Sequence, residues 1–521
     1  MLLRGARGVE RRDRGRRRRW EDRAGLDELR AVVAPGAVEK RGEEGNVARG
    51  TQRAQLAETE AIGEDDEDLP HTLTKGHREI TKWQRIALVA GAEDVQHCRG
   101  DVDETAAGVI REDEVARAET LEERVGHRRT ILRAVRTVFE LDGFFDGEHV
   151  VENAAIVVDG GEIAWAGERK ALPKDSGEIA KPAGRFAVPG LINCHAHLTL
   201  DGEANFAAEV RQTDGLAMVK AFKNARASLY AGVTTVRDLG ANGTMVIELG
   251  RAIERGVVEG PRIVAAGRGV TTTGGHGAEV GRVADGPDEV RKAVREQVRS
   301  GARVIKIFST GGVLGEGAPP EVSQFTPEET AAAVAEAHNA GLRITTHAHG
   351  SGGMRVAAEA GIDSVEHATL LDERTVRLLK ERDVAIIPTF AAIHSLLEHA
   401  NVLDPVVIER TRAVADRHRE GVRMAHRAGV RIAAGTDSGT PFNLHERFAV
   451  ELELLTECGL SAEQALAAAT SGSARVVGLE KAGHIGGGCW ADLVFVDGDP
   501  IADVAVLLSP KTVYVRGAPV V

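Results

Sequence analysis

The chain has 521 residues, of which 42% are hydrophobic and 28% charged, a composition typical of a globular protein with a sizeable core. Its formal net charge of −13 argues against a general nucleic-acid binder, and the sequence contains no run of 18 apolar residues that would predict a transmembrane helix. Its four cysteines lie far apart with no Cys-x-x-Cys pair, so neither a disulfide scaffold nor a thiolate zinc site is expected.

Residues 1–130 differ in composition from the rest of the chain. They contain 25 Lys and Arg and 28 Asp and Glu, with an arginine-rich stretch at 11–19 and an acidic run at 64–68. Hydrophobic periodicity is weak, so this segment buries too little apolar area to offset the entropy of ordering it. No apolar stretch follows the arginines, and acids are frequent, so neither a secretory signal nor a transit peptide is expected. Two hypotheses remain, a disordered extension and a wrongly assigned start, and we favour the second.

From residue 131 onward, short strand-like runs occur at both ends of a long middle segment. Runs at 134–141, 155–158 and 162–166 are separated by glycine turns, and similar runs at 492–496 and 512–515 flank a loop that contains Asp499 and Pro500. We therefore predict one small β-sandwich that is built from residues 131–189 and 483–521.

The middle segment, residues 190–482, alternates apolar runs with helical patterns. Helices are predicted at 287–300, 327–340 and 372–382, with Pro and acids at helix starts and Gly301, Gly341 or Gly429 at helix ends. The apolar runs end at Ile192, Val236, Val264, Ile307, Ile344, Val365, Ile387 and Ala433. Eight strand-then-helix units predict an α/β fold with a (β/α)8 TIM-like barrel, in which chemistry occurs at the carboxyl ends of the strands.

The first predicted barrel strand ends in His195-Ala196-His197. Side chains in a strand alternate between its faces, so both imidazoles point the same way. Two convergent imidazoles can supply two ligands of a zinc or manganese site, although a pair of surface histidines would give the same pattern.

The fourth strand carries Lys306 inside the apolar run 304–308. Burying a charged lysine is costly, so one interpretation is an edge lysine whose ammonium group reaches water. The other is a buried amine of lowered pKa that reacts with CO2, which would give a carbamate able to bridge two metals.

Three more predicted strand ends carry residues that bind metals: His347 and His349, His367, and Asp437. Each is weak alone, because an Asp before Ser-Gly is commonly a turn or a helix cap. Together with His195, His197 and Lys306 they predict one metal site at the carboxyl ends of the strands.

This set resembles the amidohydrolase superfamily, in its binuclear type with a carboxylated lysine. The segments 188–192, 273–277, 306–313, 346–350 and 491–494 are most similar to the prolidase-like and ochratoxinase-like branch, which is related to imidazolonepropionase. The resemblance covers about residues 131–521 and leaves residues 1–130 unexplained. Asn193 is a departure, since the family often has Asp before the His-x-His pair.

The resemblance implies a cofactor of two divalent metal ions, with zinc favoured over manganese or cobalt. It implies that His195, His197 and Asp437 hold one metal, that His347 and His367 hold the other, and that N6-carboxylated Lys306 and a hydroxide bridge them. Asp437 would take the proton of the attacking hydroxide and pass it to the departing amine as general base and acid.

Several residues near the expected metal ligands are also given roles. His276, in a glycine-rich loop, is expected to bind a substrate carboxylate, with an exposed imidazole on a flexible turn as the alternative. His349 is expected to touch substrate or to donate a hydrogen bond from behind a ligand. Arg237 and Asp238 are expected to form a structural ion pair or to support a ligand, and Cys194 to pack between strand and helix.

The implied function is hydrolysis of an amide bond in a dipeptide or an N-acyl amino acid, including ochratoxin-type compounds, and the substrate is a small molecule with a carboxylate. Cyclic amides, or carbamate and urea xenobiotics, are the alternative substrates. A catalytically inactive scaffold, and nucleic-acid binding through the arginine-rich start, are alternatives of another class. We expect a homo-oligomer in the cytoplasm, with no nucleic-acid or membrane partner.

Mass spectrometry of the native N-terminus tests the hypothesis of a wrongly assigned start. No methionine lies between Met1 and Met218, so we expect a start at a codon other than AUG, near Leu132 or Val135. Peptides from residues 20–120 in the native protein would contradict this expectation.

Overall fold

The computed structural model describes residues 136–182, 184–314 and 318–520, which form a mixed α/β structure. The predictions for residues 1–130, and the start of the predicted strand 134–141, lie outside these residues. In the described part of the chain, no helix is both long and apolar enough to cross a membrane.

The strands near the two ends of the described chain form two sheets. Within the segment 136–189 they are β1 (Thr137–Glu140), β2 (Gly143–Phe145), β3 (Val150–Glu152), β4 (Ala154–Asp159), β5 (Glu162–Glu168), β6 (Glu178–Ala180) and β7 (Phe186–Pro189). Near the carboxyl terminus they are β17 (Leu493–Val496), β18 (Thr512–Val515) and β19 (Ala518–Pro519). One sheet has the order β5-β4-β1-β6, and the other, β19-β18-β17-β7-β2-β3, joins strands from both ends of the chain.

These two sheets share a hydrophobic cluster. Phe139 and Ile156 of the first sheet pack in it with Phe144, Leu493 and Phe495 of the second. The Phe139 ring is 5.1 Å from the Phe495 ring, centre to centre, in a tilted arrangement favourable for aromatic pairs. Strands β1, β4, β5, β17 and β18 coincide with the predicted runs, because alternating β-branched and aromatic residues favour a half-buried strand, whereas the short strands β2, β3, β6 and β19 were not predicted.

The middle of the chain contains two sheets in which every strand pair is parallel. The strands are β8 (Leu191–Ala196), β9 (Val233–Asp238), β10 (Arg262–Ala265), β11 (Val270–Thr271), β12 (Arg282–Val283), β13 (Val304–Phe308), β14 (Arg343–Gly350), β15 (Ser364–Leu370) and β16 (Ala385–Ile387). Their orders are β10-β9-β8 and β12-β11-β13-β14-β15-β16. The carboxyl ends of neighbouring parallel strands therefore face the same way.

The helices lie between and after these strands. They are α1 (Phe206–Glu209), α2 (Asp214–Tyr230), α3 (Met245–Glu254), α4 (Pro287–Ser300), α5 (Pro327–Asn339), α6 (Ser351–Ala360), α7 (Glu373–Glu381), α8 (Phe390–Glu398), α9 (Pro405–Arg427), α10 (Ala449–Glu457), α11 (Ala462–Ala469) and α12 (Ser471–Val477). Short 3-10 turns occur at Arg169–Ala171, His445–Arg447 and Val504–Leu508.

Helix ends follow the sequence signals closely. Helix α4 spans the predicted residues, with Pro287 in its first turn and Gly301 after its end at a φ of 94°. Helix α5 begins with a capping box in which Thr326 and Glu329 each accept a hydrogen bond from the other's backbone N–H. Such caps satisfy backbone groups that the helix itself leaves free.

The eighth predicted strand, ending at Ala433, is wrong as a regular strand. Only isolated bridges occur there, between Ile432 and Ile386 and between Ser438 and Ala196. The segment 431–438 nevertheless bonds on both sides: the N–H of Ala433 donates to Ile386 O (3.0 Å), and the N–H of Cys194 donates to Ala434 O (3.0 Å). The backbone then turns through Asp437 at a φ of 59°, so no continuous ladder forms.

Replacing Phe139 with Ala tests the shared core of the two end sheets. Because this ring is fully buried, its loss should lower the free energy of unfolding by about 3–5 kcal/mol in a denaturant titration. Ile179→Ala is the control, since Ile179 is 63% exposed and should change stability by less than about 0.5 kcal/mol. Equal effects of the two changes would contradict a shared core.

Candidate metal centre

One cavity, open to solvent, lies at the carboxyl ends of the parallel strands. Every residue that the sequence singled out for chemistry lines it: His195, His197, His276, Lys306, His347, His349, His367 and Asp437. Strands β8, β13, β14 and β15, and the segment after Ile432, each bring at least one of these side chains to the cavity.

The first group of potential ligands is His195, His197 and Asp437, whose ligand atoms all lie within 4.8 Å of one another. Asp437 Oδ1 is 3.2 Å from His195 Nε2 and 3.1 Å from His197 Nε2. Two imidazoles and a carboxylate at this spacing are a ligand set that suits zinc and related divalent metals.

The second group is His347, His349 and His367, again with ligand atoms within 4.8 Å of one another. The ring centres of His347 and His367 are 4.5 Å apart, and those of His349 and His367 are 4.8 Å apart. His349 thus lies as close to the other two rings as a ligand would. Its assignment to substrate, and the choice of His347 as ligand, stay predictions.

Each histidine of the two groups has one ring nitrogen close to an oxygen atom that does not belong to either group of ligands. The pairs are His197 Nδ1 with Gly240 O (3.0 Å), His347 Nε2 with Gly311 O (3.2 Å), His349 Nδ1 with Thr369 Oγ1 (2.6 Å), His367 Nδ1 with Thr389 Oγ1 (2.7 Å) and His195 Nδ1 with Glu366 Oε2 (2.9 Å). Such contacts fix the tautomer and orientation of a metal-binding imidazole and leave its other nitrogen for the metal.

Burial keeps most of these rings neutral, which is the form that binds metal. It lowers the pKa of His195 to about 4 and that of His349 to about 3, and it holds the pKa values of His347 and His367 well below the usual value. His197 differs: burial acts to lower its pKa, but the hydrogen bond and charge of Asp437, the charge of Asp238 and the contact with Gly240 O together outweigh burial, and the pKa is raised.

Asp437 is held as a carboxylate. Burial acts to raise its pKa, but the neighbouring His195 and His197 outweigh this effect and the pKa falls to about 2. The side chain is therefore a proton acceptor at neutral pH.

Lys306 is only 1% exposed and lies on β13, which has a neighbouring strand on each side. The interpretation of Lys306 as an edge lysine that reaches water is therefore wrong. Burial lowers the pKa of its amine to about 8, against opposing effects of Glu366 and Asp437. No carboxylate of the described residues forms an ion pair with Nζ, which lies 5.4 Å from the centre of the Phe308 ring.

The backbone is strained at several residues of this cavity. His367, Thr389 and Asp437 have φ values of 67°, 56° and 59°, a region that residues other than glycine seldom adopt. Such conformations persist only where the surroundings enforce them, and they are concentrated at functional sites.

His276 packs into the cavity wall, which excludes the alternative of an exposed imidazole on a flexible turn. Its ring centre is 4.4 Å from that of His347 and 5.6 Å from that of Phe308. Its backbone N–H donates to Gln324 Oε1 (2.7 Å), which ties its loop to the segment before α5. Burial lowers the pKa of His276 to about 4, so the ring is neutral.

Sequence reasoning missed Glu366 and misplaced the partner of Arg237. Arg237 pairs with Glu366 across the strands (Nη2 to Oε1, 2.7 Å), and Asp238 instead accepts hydrogen bonds from the backbone N–H groups of Leu198 and Gly240. The available signal was an acidic residue that directly precedes His367 in the strand Ser364–Leu370. Cys194 packs under α12 as predicted, with its Sγ 3.9 Å from Ser473 O.

Comparison with known proteins gives consistent matches over this part of the chain. The Amidohydrolase family matches residues 186–520. The ochratoxinase of Aspergillus niger is 33% identical over 408 residues, covering 71% of this chain and 82% of that protein. An imidazolonepropionase of Cereibacter sphaeroides is 26% identical over 402 residues, covering 71% of this chain and 95% of that protein. A solved Xaa-Pro dipeptidase with methionine bound in its active site has a TM-score of 0.70 and 32% identity, covering 74% of this chain and 99% of that one.

Replacing Gly312 with Ala tests the position of His276. A Cβ at Gly312 would lie 2.4 Å from the His276 ring, so the ring must move from its observed position. We expect a loss of about 1–3 kcal/mol in the free energy of unfolding, and a displaced ring in a crystal structure of the variant. Gly215→Ala is the control, because a Cβ there meets nothing within 4 Å. An unmoved ring with unchanged stability would contradict the observed packing.

Proposed function

The chain belongs to the amidohydrolase family and is a hydrolase of carbon–nitrogen bonds, and on that premise we propose that it cleaves an amide bond in a dipeptide or an N-acyl amino acid. The resemblance seen in the sequence motifs is confirmed at the level of the family and its prolidase-like and ochratoxinase-like branch. Two relatives support the substrate class through their own activities, as an ochratoxinase and as a Xaa-Pro dipeptidase.

The observation that carries this proposal is the pair of ligand groups around Lys306. Its charge acts on the pKa values of His195 and Asp437 in one group and of His347, His349 and His367 in the other, so it lies near both. The donor set of imidazoles, a carboxylate and a buried amine with no ionic partner fits two divalent metals bridged by N6-carboxylated Lys306. Zinc is the first choice, and manganese or cobalt would suit the same ligands.

Two such metals, when bound, supply hydroxide near neutral pH and polarise the scissile carbonyl. The protein then has to move one proton and hold the substrate. Asp437, a carboxylate at neutral pH, accepts the proton at its carboxylate oxygen as the carbonyl is attacked, and it delivers that proton to the departing amine nitrogen. His276 and His349, whose rings line the cavity beside the ligand groups, orient the substrate.

The cavity wall indicates how the substrate is recognised. Lys306 is the only lysine or arginine among the described lining residues, so a substrate carboxylate would bind through His276, His349 and the metals. Away from the metal ligands the wall is largely apolar, with Phe206, Leu314 and Leu396 among its residues, while Glu279 and several threonines also line it. This wall favours an apolar group on one side of the amide bond.

We further propose that the parallel strands close into a (β/α)8 barrel at residues 190–482 and that the end sheets form a β-sandwich domain from residues 131–189 and 483–521. The hydrogen bonds of the segment 431–438 to both β16 and β8 support closure of the barrel, and so does the bond from the N–H of Arg303 to Ala265 O (2.9 Å) between β13 and β10. The shared cluster around Phe139 and Phe495 supports the sandwich.

Metal content and hydrolysis of the wild type and Lys306→Ala, purified with bicarbonate, test this proposal. We expect about two metals per chain and hydrolysis of dipeptides or N-acyl amino acids by the wild type, with loss of activity on chelation. The variant should lose metal and at least about 100-fold in kcat/KM, more than removal of a residue that only supports a ligand.

Lys380→Ala is the matched control, because the amine of Lys380 is exposed and donates only to Gly429 O. It should keep wild-type metal content and activity. One metal per chain, unaffected by loss of Lys306, would instead favour a mononuclear hydrolase of cyclic amides, and metal without any hydrolysis would favour an inactive scaffold.

A further inference from the structure

A buried ion pair lies directly behind one of the potential metal ligands. Glu366 is 0% exposed and Arg237 is 1% exposed, and Arg237 Nη2 is 2.7 Å from Glu366 Oε1. Arg237 belongs to β9 and Glu366 to β15, so the pair joins strands of the two parallel sheets. Removing one partner would leave an uncompensated charge in the interior, which is strongly destabilising.

Both members of the pair are fixed by further hydrogen bonds. Arg237 Nε donates to Cys194 O (2.6 Å), and Nη1 donates to Ser364 Oγ (3.2 Å). The Thr345 hydroxyl donates to Glu366 Oε1, the same oxygen that Arg237 holds. Oε1 therefore accepts two hydrogen bonds, and Oε2 takes part in neither of them.

The second oxygen faces His195. Glu366 Oε2 lies 2.9 Å from His195 Nδ1, and neither of these two buried atoms has a hydrogen-bond partner of good geometry among the described residues, so each is the nearest polar group available to the other. The opposite nitrogen of the ring, Nε2, lies 3.2 Å from Asp437 Oδ1 in the first ligand group. Each nitrogen of this ring therefore lies near a carboxylate oxygen.

We propose that Glu366, held by Arg237, is a positioning residue that places the proton of His195 on Nδ1 and so presents Nε2 to the metal shared with His197 and Asp437. The proposal rests on the metal site of the proposed function. A neutral imidazole carries one proton, and a carboxylate accepts it but never donates one while ionised. Because Arg237 Nη2 and the Thr345 hydroxyl both hold Oε1, Oε2 is the oxygen left to accept a hydrogen bond from His195 Nδ1, and Nε2 then keeps a free lone pair.

Glu366→Gln tests this role with little change of shape. Arg237 should hold the amide oxygen, which turns the amide NH2 toward His195 Nδ1 and drives the ring proton to Nε2, where it blocks the metal. Zinc is removed by dialysis against a series of chelator concentrations, and the metal remaining per chain is measured. We expect one of the two zinc ions to bind about 10–100-fold more weakly and the other to bind as in the wild type.

Glu329→Gln is the matched control. Glu329 is also buried and also accepts hydrogen bonds, from the backbone N–H groups of Gly286 and Thr326, but it does not line the cavity. It should retain both zinc ions with wild-type affinity. A merely structural role of Glu366 would lower thermal stability in both variants and would not weaken one zinc ion selectively.

Thr345→Val is a second variant in case Glu366→Gln fails to fold, because it removes only the hydroxyl that holds Glu366 Oε1. We expect a smaller weakening of the same single zinc ion. Wild-type affinity for both ions in the folded variants, or an equal loss of both, would overturn the proposal.

The outcomes separate this inference from the proposed function. A wild type that holds two zinc ions but hydrolyses no amide contradicts the proposed function, while the dialysis still decides the role of Glu366. A wild type that binds no zinc overturns both.

Discussion

Six imidazoles, one amine and two carboxylates pack together at the carboxyl ends of the parallel strands, and the free-energy cost of burying them constrains the surrounding structure. Unpaired polar groups in such a place cost about 1–3 kcal/mol each. The described chain limits this cost in two ways. Burial keeps five of the six rings uncharged, and backbone carbonyls, threonine hydroxyls and Glu366 lie against the ring nitrogens that face away from the cavity. The ligand atoms of each group then lie within 4.8 Å of one another, which is the condition for binding a common metal ion.

The backbone fixes the positions from which these side chains project into the cavity. Parallel strands bring their carboxyl ends together, and positive φ values at His367, Thr389 and Asp437 direct the chain away from regular strand geometry there. The hydroxyl of Thr389 illustrates the coupling. It lies 2.7 Å from His367 Nδ1 and donates to Pro388 O (2.6 Å), while Glu451 accepts the backbone N–H groups of Phe390 and Ala391. A buried acid on α10 thus anchors the residue that orients a ligand on β15.

Much of the site could be predicted from the sequence, because strand alternation determines which side chains share a face. His195 and His197 lie two residues apart, and a polar residue inside an apolar strand, such as Lys306, stands out against its neighbours. Glu366 is also visible in the sequence, as the acid before His367. Its role could not be predicted, since it depends on Arg237, which belongs to a strand remote in sequence. The prediction of a regular eighth strand was wrong because Gly435 and Asp437 favour a turn. The apolar run before these residues gives no sign of that turn. Helix ends were predicted well because caps such as Thr326 are local in sequence, whereas the hydrogen bonds of the segment 431–438 are not.

The proposed function depends on a site in which two metals would share a bridge made from Lys306. A crystal structure of the protein grown with zinc and bicarbonate, with anomalous scattering measured at the zinc edge, tests it most directly. We expect two anomalous peaks, one within about 2.0–2.2 Å of ligand atoms of His195, His197 and Asp437 and one equally close to those of His347 and His367. Continuous density should extend from Lys306 Nζ to both peaks. A single peak, or an unmodified Lys306 amine that contacts neither metal, would contradict the proposed bridge.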